Sequence, residues 1–196
     1  MRKELLSLSL TEKEFCELAG RYHFDQAGLA RIRILHEAIL PLLCPQACYT
    51  IKEREVFCAV TLGEGIDRMQ ESCSLADELL DVYILDCIGA SLLEKAYEQL
   101  HIRLFEETGL YLQYFAFPGS ELPMTKMQEI LQNLTGQLEK LPISCNPACM
   151  LTPKKSVVFM AELGEKRQDH GICFCCAMCS RSTCKNRRLP ETENKA

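Results

Sequence analysis

The sequence has no tryptophan, only four histidines, and no apolar run that could cross a membrane. Its longest apolar stretch, Ile39 to Cys44, falls far short of the roughly 20 residues a bilayer core requires. Positive charge is not in excess either. Lys and Arg total 22 against 27 Asp and Glu, a net charge of -5. Such a balance offers no attractive field to nucleic acid or to an anionic membrane. Met1 to Leu10 carries two basic residues and a short apolar stretch, then runs into the charged Glu12 to Glu17. No small-residue cleavage site follows, so the expected location is the cytoplasm. Neither an internal repeat nor a low-complexity tract is present. His23, His36, His101 and His170 are scattered, and no His-Asp-Ser or Cys-His set can be read from their spacing. Gly63-Glu64-Gly65 lacks the third glycine of a dinucleotide fingerprint and the Lys-Ser/Thr of a P-loop. It reads as a strand-to-helix turn.

What is present is an ordinary globular composition, 47% hydrophobic and 25% charged in 196 residues. That suits one domain with a short appendage. Residues 11–42 read as helical, with Thr11 and Glu14 in a capping-box pattern and Pro41 and Pro45 closing the segment. Residues 47–51 and 55–62 read as strands, and a helix is expected from near Ile66. Residues 77–106 carry the strongest helical periodicity. Leu80, Ile84, Ile88, Leu92, Ala96 and Leu100 recur at steps of four. Gly89, Ala90 and Ser91 interrupt it with small side chains, as where another backbone packs closely. A strand at 110–117, the turn Pro118-Gly119, a helix over about 123–138, a short strand near 148–151 and a strand at 156–163 follow. Strands and helices intermix without regular alternation. The expected class is therefore α+β, a twisted, mainly antiparallel sheet packed with helices. The long helix should meet the sheet through Ile84, Ile88 and Leu92. The expected division is an N-terminal helical segment at 1–45, a core at 46–170, a cysteine-rich segment at 171–188 and a tail at 189–196.

Cysteine is abundant, with thirteen in the chain. Cys16, Cys44, Cys48, Cys58, Cys73, Cys87, Cys145 and Cys149 are scattered and read as small buried hydrophobes. Cys173, Cys175, Cys176, Cys179 and Cys184 are clustered. Cys176, Cys179 and Cys184 form C-x-x-C-x-x-x-x-C, in which a tight turn presents two thiolates to one centre. The third thiolate leaves one position to fill. That suits an iron–sulfur cluster, or zinc with a fourth ligand from Cys173, Cys175 or His170.

Several stretches together resemble the activation domain of cobalamin-dependent methionine synthase and its stand-alone relatives. Ala59-Val60-Thr61-Leu62-Gly63 resembles the family's strand ending in Thr-x-Gly. Leu85-Asp86-Cys87-Ile88-Gly89-Ala90 resembles its helix with Leu-Asp-Ala-x-Gly-Ser. Phe117-Pro118-Gly119 resembles its Ser-Pro-Gly loop. Leu151 to Val157 resembles the Pro-x-Lys-Ser segment that leads into a strand, and Cys176 to Arg187 resembles the cysteine-rich end of the stand-alone members. The resemblance implies a domain that binds S-adenosylmethionine, lies over a corrinoid protein and supports its reductive remethylation. It implies a ligand site lined by Gly63, Pro118, Gly119, Lys155 and Ser156. A corrinoid would come only through a partner protein or methyltransferase, because the chain lacks Asp-x-His-x-x-Gly. The family's arginine before the Pro-Gly loop is absent: Gln113 to Phe117 stand there, and Ser120 replaces the tyrosine after it. Weak S-adenosylmethionine binding is expected. The alternative is a small-ligand or interaction module with a structural zinc clip.

Overall fold

The computed structural model describes residues 3–5, 8–134 and 141–166. Thr11 opens helix α1 (Glu12–Arg21) with the expected reciprocal cap to Glu14. The helical stretch then breaks. His23 takes a left-handed φ of 59°, and Asp25 caps a second helix, α2 (Gln26–Ile39), by accepting from the Gly28 N–H. A short 3-10 turn at Leu40–Leu42 carries Pro41 at its start. Strands β2 (Gln46–Lys52) and β3 (Glu55–Thr61) form a hairpin, joined by a two-residue turn in which Glu53 has positive φ. Helices α3 (Gly65–Leu75) and α4 (Leu79–Thr108) follow. Strand β4 (Tyr111–Ala116), helix α5 (Lys126–Asn133), the short pair β5 (Ser144–Cys145) and β6 (Leu151–Thr152), and strand β7 (Ser156–Gly164) complete the order. One strand goes beyond the expected set: β1 (Lys3–Leu5) pairs with β2 at the edge of the sheet. The main sheet has the order β1-β2-β3-β7-β4, and every pairing is antiparallel.

Both faces of this sheet are covered, and strand alternation shows how. Tyr49, Val56, Cys58, Val60, Phe159 and Ala161 share a core with α1, α2 and α4. Their neighbours Cys48, Phe57, Ala59 and Val158 point the other way, toward Met127, Ile130 and Leu134. The central strands are therefore buried on both sides, as β3 shows from Val56 to Thr61. The expected contacts of α4 hold. Ile84, Ile88 and Leu92 are fully buried, each stabilising by about 1.5–3 kcal/mol relative to exposure. Leu80 breaks the expected stripe. It is 59% exposed, while Asp81 beside it in the same turn is buried. The α5 helix is described only to Asn133; residues 135–138 of the expected helix lie outside the described part.

Strand β4 reaches its burial pattern through a bulge. Its register against β7 shifts between Gln113 and Ala116, and Tyr114 takes a φ of 51°. The extra residue puts Leu112 and Phe115 on the same face, where both are buried, although simple alternation would oppose them. Among the described residues no helix is long and apolar enough to cross a membrane.

Candidate functional site

The register of the sheet gathers the motif segments at one end. Thr61, the last residue of β3, pairs with Ser156, the first of β7. Ala116, the last of β4, pairs with Met160 further along β7. The turn at Gly63, the segment Pro153 to Ser156 and the loop at Pro118-Gly119 therefore all leave the sheet at the same end. The expected residues share this end.

The turn after β3 is held from several sides. Ser156 Oγ lies 2.8 Å from Thr61 Oγ1, which accepts the Gly63 N–H at 3.1 Å. The Leu62 N–H donates to the Lys155 carbonyl at 3.0 Å, and the Cys44 N–H donates to the Leu62 carbonyl at 3.0 Å. Gly63 has a φ of 79°, and a Cβ on it would lie 3.0 Å from Cys44 Cβ. A side chain at Gly65 would stand 2.2 Å from the Leu42 carbonyl oxygen. These glycines are required by the turn and by the close approach of the 3-10 segment.

Lys155 crosses from this end to α4. Its ammonium pairs with Asp86 Oδ1 at 2.7 Å while its stem lies over Gly89. A Cβ at Gly89 would meet Lys155 Cε at 2.9 Å and Ile66 Cδ1 at 3.0 Å. The small residues of α4 thus do mark close packing, and the neighbours are side chains rather than a backbone. Asp67, in the first turn of α3, accepts the Lys154 N–H through Oδ2 at 2.9 Å. Its Oδ1 is buried and has no hydrogen-bond partner among the described residues. Sequence spacing gives no sign of Asp67; only the packing of α3 against the 153–156 segment brings it here. The Pro118-Gly119 loop is closed by the Gly119 N–H on the Leu122 carbonyl at 2.8 Å, and Glu121 accepts the Phe117 N–H at 2.9 Å. Phe117 packs on Tyr97 of α4 and on Phe159 of β7. This end of the sheet thus offers an apolar wall, hydroxyls, an orphaned carboxylate oxygen and a lysine already neutralised by a carboxylate. Among the described residues there, no pair of groups is poised for nucleophilic attack.

The expected metal ligands Cys173, Cys175, Cys176, Cys179 and Cys184, with His170, lie outside the described residues. Among the scattered cysteines, Cys48, Cys58, Cys73 and Cys87 are buried. Burial pushes the Cys48 thiol up to about 12 and the Cys87 thiol up to about 11, so both are inert at neutral pH. Cys16 and Cys44 are exposed, contrary to expectation, because both lie on the outer side of their segments. One constellation has no counterpart in the sequence motifs. Ligand atoms of Cys73, Glu78 and Asp81 lie within 4.8 Å of one another. Asp81 is already held by the Arg31 guanidinium, which donates through Nε at 2.9 and 3.1 Å and through Nη2. That bidentate pair gives the group a structural explanation, the joining of α2 to the start of α4.

No family model matches this sequence, and no curated protein matches it. A solved structure does resemble it: a crystal structure of the MetH reactivation domain bound to AdoHcy. The TM-score is 0.57 at 13% sequence identity, over 85% of this chain and 73% of that chain. At this identity the likeness is one of fold.

Proposed function

We propose that this chain is an accessory protein resembling the methionine synthase reactivation domain, and that it supports reductive reactivation or methyl transfer on a partner corrinoid protein. The observation that carries this reading is that the Gly63, Pro118-Gly119 and Lys155-Ser156 segments leave an antiparallel sheet of that fold toward the same end. On this reading the corrinoid belongs to the partner, and the chain orients a small ligand above it. The Gly63 turn and Ser156 border that ligand, and the Phe117–Tyr97 wall excludes water. Protein groups then contribute orientation and electrostatics while the cofactor supplies the chemistry. The C-terminal cysteines would hold an iron–sulfur centre for electron delivery. The test uses the corrinoid-binding part of cobalamin-dependent methionine synthase in its cobalt(II) state, with a chemical reductant and S-adenosylmethionine. Methylcobalt formation, read by absorbance, should be faster with the chain present. Equal rates with and without it would overturn the proposal.

The pairing of Lys155 with Asp86 favours a second reading, a small-ligand or interaction module without catalytic activity. In it the C-terminal cysteines form a structural zinc clip. Metal analysis after anaerobic purification separates the two, since iron with sulfide suits electron transfer and zinc suits structure.

A further inference from the structure

The face of the sheet opposite α4 carries a cluster of sulfur atoms, on the hairpin that leads into the 153–156 segment. Strands β5 and β6 form a small hairpin in which Cys145 pairs with Leu151. The loop between them is tightly closed. The Asn146 N–H donates to the Met150 carbonyl at 3.0 Å, and the Cys149 N–H donates to the Asn146 carbonyl at 2.9 Å. Asn146 Oδ1 accepts the Met150 N–H at 2.9 Å. This closure brings the Cys145 and Cys149 thiols into side-chain contact. Helix α5 supplies a third sulfur: Cys145 Sγ lies 3.6 Å from Met127 Sδ. Cys149 sits at a φ of 60°, a conformation a cysteine adopts at a cost that Gly or Asn would largely avoid. Both thiols are half-buried and Met127 is buried, so an ion can enter from the loop side and finish against the helix.

We propose that Cys145, Cys149 and Met127 form a soft-metal site for a monovalent copper ion, with two thiolates and one thioether as ligands. Ligand chemistry makes the choice. Thioether and thiolate together select copper(I), whereas zinc takes thiolate, imidazole and carboxylate. Geometry agrees. Three sulfurs each about 2.3 Å from a central ion lie about 4 Å apart, a few tenths of an ångström more than the Cys145–Met127 contact. Cysteine ligates a metal as thiolate, so binding displaces thiol protons. Two protons leave per ion, and affinity rises with pH.

The test uses the full chain, reduced and oxygen-free, labelled with carbon-13 at the methionine methyls. Met127→Leu assigns the Met127 methyl signal. Copper(I) is then titrated in the presence of a chromogenic copper(I) chelator. The Met127 methyl should shift during the titration. A Cys145→Ser/Cys149→Ser variant should bind one equivalent less copper and leave that signal in place. Met127→Leu, which preserves apolar volume, should weaken that equivalent about tenfold. The methyl readout separates this site from the C-terminal cysteines, which also take soft metals, and circular dichroism checks that each variant folds. Copper binding that leaves the Met127 methyl unmoved, or equal stoichiometry in the wild type and the folded double-serine variant, would overturn the proposal.

Discussion

At the scale of single residues, glycines show where side chains cannot fit. Gly65 faces the Leu42 carbonyl so closely that a Cβ would stand 2.2 Å away. The obstacle is backbone in the turn that closes α2, so it cannot move aside as a flexible side chain would. Gly65→Ala should therefore destabilise by at least about 2 kcal/mol, as overpacking does. Gly20, on the exposed side of α1, has open space where a methyl would stand, with nothing within 4 Å. Gly20→Ala should stabilise by about 0.5–1 kcal/mol through helix propensity. Urea denaturation of the two variants checks both signs. The Gly63 turn is legible in the sequence because glycines after a strand announce a turn. The partners of these glycines are not, since Leu42, Cys44 and Lys155 reach them only through tertiary packing.

His36 gives the residue scale a pH signature. Its Nε2 accepts the Leu10 N–H at 3.0 Å, and Phe15 packs edge-on against its ring at 4.9 Å. Acceptance requires the neutral ring. Burial lowers its pKa from 6.5, partly opposed by Glu37 and Glu14 and assisted by Lys95. The unfolded chain therefore binds this proton more readily than the folded one. Stability is fully present above about pH 6.5 and falls as pH drops through the window below it, down to the lowered folded value. Melting temperatures at pH 7.5 and 5.5 should show the loss. His36→Gln keeps an acceptor without the titration, so it should flatten that part of the profile. An unchanged slope in the variant would assign the effect to other groups.

At the scale of elements, α4 shows what a period can and cannot tell. Its steps of four identify Ile84, Ile88 and Leu92 as core, and they are fully buried. Leu80 fits the same period yet is exposed, because a helical stripe says which residues align and not how far the covering layer extends. Ile88→Ala should cost about 2–5 kcal/mol through lost burial and a cavity. Ile102→Ala, at a position 54% exposed, should cost under about 0.5 kcal/mol beyond any gain in helix propensity. Thermal unfolding of the pair checks the contrast. Strand β4 is legible as a strand but its bulge is not, since nothing about Tyr114 favours a positive φ. The bulge is imposed by the need to bury both Leu112 and Phe115 against α4. The sulfur cluster at Cys145 and Cys149 is hidden for a related reason. Their C-x-x-x-C spacing with Asn and Pro between is a visible signal, but it becomes a site only when α5 brings Met127 beside it.

At the scale of the whole molecule, the fold resembles the MetH reactivation domain, whose solved structure holds AdoHcy, and the ligand end proposed above has its own chemistry. A ligand with an amino-acid carboxylate is best held by a guanidinium fork, a hydrogen bond to a charged group being worth about 1.5–3 kcal/mol. Before Pro118 this chain has Gln113 to Phe117 instead. Phe115 is buried, and Phe117 is engaged with Tyr97 and Phe159. Gln113 is turned to the opposite end of the sheet, where its amide donates to the Lys166 carbonyl. At the proposed ligand end the ammonium of Lys155 is already held by Asp86, and the Arg68 guanidinium by Glu64. A carboxylate would have to displace Asp86 to gain that ammonium, which offsets most of what the new pair contributes. S-adenosylmethionine should therefore bind weakly, with a free energy short of about −8 kcal/mol, the value for a micromolar dissociation constant. Asp86→Asn should strengthen binding, because it frees the ammonium while leaving the amide shape. Calorimetry on the two proteins decides: low-micromolar binding by the wild type, or no gain in the variant, would mean that Lys155 and the missing guanidinium do not govern the ligand end.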